Sequence, residues 1–138
     1  MEKINALVDW CGKNYAGYIT DERINALNIV VTAKTRDELD KKLREVVQFH
    51  IEGCVEDGDQ LPEWAVAGNY EIVVEPRISA LLHEVLMYTT LAALSRATGI
   101  KHAQLSHYAN AVSQPRPEQR ERIIAGMHHI GHACLAIQ

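Results

Sequence analysis

Cysteine is scarce and odd in number. Cys11, Cys54 and Cys134 are the only three in 138 residues and lie far apart, which excludes a disulfide framework and any Cys-x-x-Cys metal knuckle. No unbroken apolar run comes near the ~20 residues of a membrane-spanning helix. The opening Met1-Glu2-Lys3-Ile4 leads straight into alternating structure and lacks the apolar stretch of a secretory signal. No Gly-x-Ser-x-Gly, phosphate-binding loop or dinucleotide fingerprint occurs anywhere. With 47% hydrophobic and 23% charged residues, neither disorder nor a fibrous repeat fits. These absences predict a reduced, cytoplasmic protein with no membrane partner, built as one ordinary domain or two small ones.

Charge is present but unevenly divided. Residues 1–75 hold 8 Lys/Arg and 15 Asp/Glu, a net of −7, whereas residues 76–138 hold 6 Lys/Arg and 3 Asp/Glu, a net of +3, with 6 of the 7 histidines. Such a split suggests two modules with different partners: an acidic one that repels nucleic acid and a mildly basic one that can approach phosphates.

The acidic half reads as strands around one helix. Ile4, Ala6, Val8 and Trp10 alternate with Asn5 and Asp9, which predicts a strand over residues 4–10. Gly12-Lys13-Asn14 supplies a tight turn, and residues 15–20 return as the second strand of a hairpin. Residues 27–33, rich in β-branched side chains, make a third. Thr35 with Glu38 three residues on is a capping box. It opens a helix whose apolar stripe is Leu39, Leu43, Val46, Val47, His50, Ile51 and Cys54, opposed by Lys41, Lys42, Arg44, Gln48 and Glu52. That helix ends near Asp57-Gly58, and a fourth strand follows over residues 70–75 after a Pro-containing loop, giving the order β-β-β-α-β. Asp9 and Glu45 are the only carboxylates placed as a two-metal nuclease would want them. Glu45, flanked by Lys41, Lys42 and Arg44, reads better as part of a salt bridge on the helix face. His50, on the apolar stripe, reads as a core histidine rather than a base.

The basic half reads as a bundle of short helices. Pro76 is expected to break the strand and begin a helical segment, in which Ile78, Leu81, Leu82, Val85 and Leu86 recur at helical spacing through Tyr88 and bury one face. The stretch from Thr90 to Tyr108 then has the layout of a helix-turn-helix: a short helix, a sharp turn and a second helix open on one side. Gly99 falls where the turn needs a left-handed backbone. Leu94, Ala97, Ile100, Leu105 and Tyr108 fall inward. His102, Ala103, Gln104, Ser106 and His107 are left outward, and their donors, acceptors and small side chains suit base edges in the major groove. Arg96, Lys101, Arg116, Arg120 and the Thr90 hydroxyl are the phosphate candidates, which position a protein without reading sequence. Pro117 at a first helical position and Glu118 in the first turn start a last helix with a stripe of Ile123, Ile124, Met127, Ile130 and Cys134. His128 and His132 are one turn apart, a spacing that can hold zinc, yet no glutamate base lies between them and no third ligand is evident, so no metal site is expected. No cofactor or catalytic residue is implied.

Residues 1–75 resemble the HicB-type antitoxin fold, a trimmed ribonuclease-H-like sheet. The resemblance is carried by Asn14-Tyr15-Ala16-Gly17-Tyr18, by Thr35-Arg36-Asp37-Glu38-Leu39, and by Phe49 to Gly58 with Leu61-Pro62. Residues 90–131 resemble the Cro/repressor-type helix-turn-helix, through Thr98-Gly99-Ile100, Gln104-Leu105-Ser106-His107-Tyr108 and Pro115-Arg116-Pro117-Glu118-Gln119. The fold expected is therefore α+β: a HicB-like toxin-binding domain over residues 1–75 and an all-α helix-turn-helix domain over residues 76–138. The resemblance implies an antitoxin that caps a small basic HicA-type ribonuclease, binds operator DNA as a homodimer or tetramer and represses its own operon. The alternatives are a stand-alone regulator with an N-terminal ligand-sensing or dimerising domain, and a metal-dependent nuclease using Asp9.

Overall fold

Alternation of apolar and polar residues builds β1 (Glu2–Trp10) and β2 (Tyr15–Asp21), which pair antiparallel from Leu7↔Tyr18 to Trp10↔Tyr15. The turn between them is closed by a Cys11 amide donating to the Asn14 carbonyl at 2.9 Å, with Gly12 at φ +86°. A short 3-10 turn over Glu22–Ile24 leads to β3 (Ala26–Ala33), antiparallel to β2. Helix α1 (Arg36–Glu56) starts where Thr35 Oγ1 accepts the Glu38 amide at 3.2 Å. A one-turn helix, α2 (Glu63–Val66), interrupts the stretch expected to be loop; four residues are too few to leave a periodic signal. Then β4 (Tyr70–Pro76) pairs parallel with β1, giving the sheet order β3-β2-β1-β4.

One face of this sheet carries α1. Ile4, Ala6 and Val8 are buried there, with Leu39, Leu43, Val47, Ile51 and Cys54 from the helix. The helix approaches closely at Gly17, the partner of Val8, where an added Cβ would meet Leu43 Cδ2 at 3.0 Å. His50 donates from Nε2 to the Ile24 carbonyl at 2.8 Å, so it ties the 3-10 turn to α1. Trp10, half-buried, packs edge-on against Tyr15 at 5.0 Å.

The end of the sheet is tied by a side chain that no pattern picks out. Arg23 holds both carboxylate oxygens of Asp21 (3.0 and 2.8 Å), the Glu2 carboxylate (3.0 Å) and the Lys3 carbonyl (2.7 Å), and its guanidinium lies 4.9 Å over the Trp64 ring. That hydrogen bonding holds the Asp21 carboxyl below its ordinary range, outweighing a burial that pushes the other way.

β4 ends at Pro76, and two residues later, at Ile78, the pattern changes from period two to helical. Helix α3 (Ile78–Val85) is followed by α4 (Leu91–Thr98), α5 (His102–Ala109) and α6 (Pro117–Leu135). Ile78, Leu82, Leu94, Ile100, Leu105, Tyr108 and Ile123 form their shared core. Residues 1–138 are all described, and they divide into two compact units, Met1–Pro76 and Arg77–Gln138. The chain is thus α+β, with one four-stranded sheet and six helices, none long and apolar enough to cross a membrane.

Three expectations need correction. Pro76 is the last residue of β4, opposite Val8, and the helix begins after it with Arg77 as N-cap. Helix α3 stops at Val85, so Tyr88 is not part of its buried face but stands 86% exposed. Cys134 is exposed, not packed, because α6 outlasts what it packs against: every residue from 131 to 138 is exposed.

Candidate nucleic-acid interface

Two eight-residue helices, α4 and α5, are joined by Gly99, Ile100 and Lys101. The Thr90 hydroxyl caps α4 by accepting the Ala93 amide at 3.1 Å. Gly99 ends that helix at φ 75°, ψ 7°, the left-handed conformation that costs a side-chain-bearing residue most. Side chains then lock the turn. Ser95 Oγ donates to the Ile100 carbonyl (2.6 Å); Thr98 Oγ1 donates to the Leu94 carbonyl (2.7 Å) and accepts the Ile100 amide (3.1 Å). Nothing in the sequence marks these bonds of Ser95 and Thr98, since all three depend on the turn already being made.

Behind the turn, α6 crosses α4 at Gly126. A Cβ there would meet Thr98 Cγ2, so glycine at this position is what leaves room for the Thr98 methyl. The contact fixes Thr98, which is 7% exposed, and so fixes the turn it bonds.

On α5, Leu105 and Tyr108 are buried, while His102, Ala103 and His107 are exposed and Gln104 and Ser106 half-buried. Helical geometry puts Ala103, Ser106 and His107 along one outward strip, with His102 and Gln104 on its two flanks. Asn110, exposed and donating from Nδ2 to the Ser106 carbonyl at 2.9 Å, extends that strip by one turn. Its spacing of four from Ser106 is the signal that could have found it. No residue of α5 is acidic.

The cationic candidates divide. Arg116 is exposed at the cap of α6 and lines a concavity of about 340 Å³ with Gln104, Tyr108, Ser113 and Gln119, so a base-edge candidate and a phosphate candidate meet there. Ser113 Oγ is buried in the same place without a hydrogen-bond partner. Lys101, at the α5 N-cap, and Thr90 are exposed. Arg96 is exposed too but lines a different groove, of about 420 Å³, with His129, Ile130 and Ala133 of α6. Arg120 is half-buried. Arg122, not singled out in the sequence, lies over the turn: its guanidinium would be 2.9 Å from a Cβ on Gly99.

The remaining titratable groups do not converge. His128 and His132 are exposed on α6 with ring centroids 6.5 Å apart, and no three His, Cys, Asp or Glu side chains come together. Glu45 is exposed 4.0 Å from Lys41, whereas Asp9 is buried and points to the sheet face away from α1, one residue out of phase with Val8. Comparison with protein-family models, with curated proteins and with solved structures returns no match to this chain.

Proposed function

We propose that this chain is a DNA-binding antitoxin. Its Arg77–Gln138 unit would act as a Cro/repressor-type helix-turn-helix that represses its own operon, and its Met1–Pro76 unit as a HicB-like cap for a small basic HicA-type ribonuclease. The observation that carries the DNA reading is the α4–Gly99–α5 pair, with its turn locked by Ser95 and Thr98 and an acid-free polar strip on α5. A locked turn presents the second helix at a fixed angle, which major-groove reading requires. Beside it, the exposed Lys101, Arg116 and Arg122 supply contacts for the backbone on either side of a groove.

The partner half of the reading rests on charge and topology. A net of −7 on the first unit favours encounter with a cationic protein. The β-β-β-α-β order with β4 parallel to β1 is what a trimmed ribonuclease-H-like sheet would have. One small reading domain covers few base pairs, so a homodimer or tetramer on paired half-sites is part of the proposal.

The test of DNA reading starts from duplexes selected by the full-length protein out of a random pool. Gln104→Ala with Ser106→Ala should lose sequence preference and about 1–3 kcal/mol of affinity for each base contact removed. Arg116→Ala should weaken binding to all sequences alike and flatten its salt dependence. Unchanged preference in the double variant would mean that α5 does not read bases. For the partner, tagged protein is recovered from its host after nuclease treatment. A small basic protein in stoichiometric amount, with ribonuclease activity once separated, is the expected outcome; recovery alone, with DNA selectivity intact, would leave a stand-alone regulator.

A further inference from the structure

A cleft of about 620 Å³ lies between α1 and the α2–β4 segment, with Gln48, Ile51 and Glu52 on the helix side and Tyr70, Glu71 and Ile72 on the strand side. A smaller recess of about 320 Å³ continues it along α1 past Val55 and Glu56, sharing Ile51, Glu52 and Val66. Val55 and Val66 are 46% and 57% exposed along this line, an open apolar strip beside the more polar cleft. Its borders are acidic: Glu52, Glu56 and Glu71 are all exposed, against a single guanidinium, Arg44.

The strand bordering this cleft is also an edge of the sheet. Two edges exist, and they differ. Along β3 the pairing register breaks between Ile19 and Asp21, and Asn28 has a φ of 55°, irregularities that blunt strand addition. Along β4 all seven residues pair in regular register with β1, and no residue has positive φ, so over residues 70–75, ahead of the proline, the opposite side offers a regular row of backbone donors and acceptors.

We infer that an extended cationic segment of a partner protein adds as a strand to the free edge of β4. Its alternate apolar side chains enter the cleft over Ile51 and Ile72, and its lysines or arginines meet Glu52, Glu56 and Glu71. Strand addition supplies affinity through the main chain, and the acidic border selects the sign of the partner's charge. This deepens the partner-binding half of the function proposed above and stands apart from its DNA-binding half.

The test uses isotope-labelled full-length protein and an eight-residue amidated peptide of alternating lysine and valine. Saturable amide shifts confined to β4 and residues 44–56, with slowed hydrogen exchange in β4, are expected. Glu52→Lys with Glu71→Lys should weaken binding by about tenfold or more, and Glu56→Lys alone should weaken it less, serving as the second variant should the first fail to fold. A peptide of alternating glutamate and valine should leave the spectrum unchanged. Shifts elsewhere, none at about 1 mM peptide, or unchanged affinity after charge reversal would overturn the inference. Equal binding of a lysine/valine peptide with helical spacing would overturn the strand geometry. A basic ribonuclease recovered equally by wild-type and charge-reversed protein would remove this groove and keep the antitoxin reading. Peptide binding without any such ribonuclease would keep the groove and remove the toxin.

Discussion

Single side chains carry more of this fold than their surroundings in the sequence suggest. Gly126 is the clearest case. Alanine is the better helix former by about 1 kcal/mol, so an exposed helical glycine would gain from the change. Here the added Cβ drives into Thr98 Cγ2, and Thr98 cannot turn away without losing its bonds to Leu94 and Ile100. Overpacking of this kind costs about 1–3 kcal/mol, so the clash wins and Gly126→Ala should lower the melting temperature. Thr98→Ser, which removes the methyl and keeps the hydroxyl, should restore most of the loss, and a double-mutant cycle measures the coupling.

Arg23 works through the shape of its head group. A lysine keeps the charge but cannot bind both oxygens of Asp21 while reaching Glu2 and the Lys3 carbonyl, so Arg23→Lys should cost about 1 kcal/mol, a figure kept low because the side chain is 44% exposed. The same pair sets a pH dependence. Asp21 titrates lower in the folded chain than its unfolded value of about 3.9. Its contribution to stability is therefore complete above about pH 4 and lost as pH falls through the folded value. Melting temperatures between pH 6 and pH 2 should fall less steeply in Asp21→Asn than in wild type. The thiols differ in the same local way. Burial, with Asp59 and Asp57 nearby, pushes Cys54 up, whereas Cys11 and Cys134 are exposed. A thiol reagent at neutral pH should modify two cysteines promptly and the third only on unfolding.

At the scale of elements, what could be read in advance is what depends on neighbours in sequence. The Thr35 cap of α1, the Gly12 turn, Pro117 at the start of α6 and Gly99 between α4 and α5 are local chemistry, and each has the geometry its residue type demands. Thr90 has a local role besides the one proposed for it. Its hydroxyl, a phosphate candidate, accepts the Ala93 amide as the cap of α4, which leaves its own proton to donate. Thr90→Ala should therefore destabilise α4 by about 1 kcal/mol in the absence of DNA, and Thr90→Ser, which keeps the cap, should not; thermal melts of the two variants check this. The α6 stripe misleads for a different reason: helical period says which residues share a face, not how far along the helix a partner covers that face. Ile123 is buried and Cys134, on the same stripe, is not.

At the scale of the whole molecule, charge is distributed by unit. The Met1–Pro76 unit contains 15 acidic side chains and the Arg77–Gln138 unit only 3, all glutamate. Under the proposed function, Lys101 at the cap of α5, Arg116 beside Gln104 and Arg122 over Gly99 each meet one phosphate, so the logarithm of DNA affinity should fall with that of salt at a slope of about −3 per protomer. A titration from low to high salt reads it directly, and a slope near zero would leave no role for phosphate contacts.

The sequence by itself determined the α+β class, the order β-β-β-α-β followed by helices, the division of charge and the turn at Gly99. Each of these follows from period, propensity or counting, which need only residues close together along the chain. Tertiary structure alone decided that β4 runs parallel beside β1, that Arg23 joins the ends of two strands to Trp64, that Gly126 meets Thr98, and that Gln104 shares a concavity with Arg116 while Arg96 faces another groove. Those contacts join residues far apart in the chain, and no local pattern encodes which of many compatible partners a closed backbone will bring within reach.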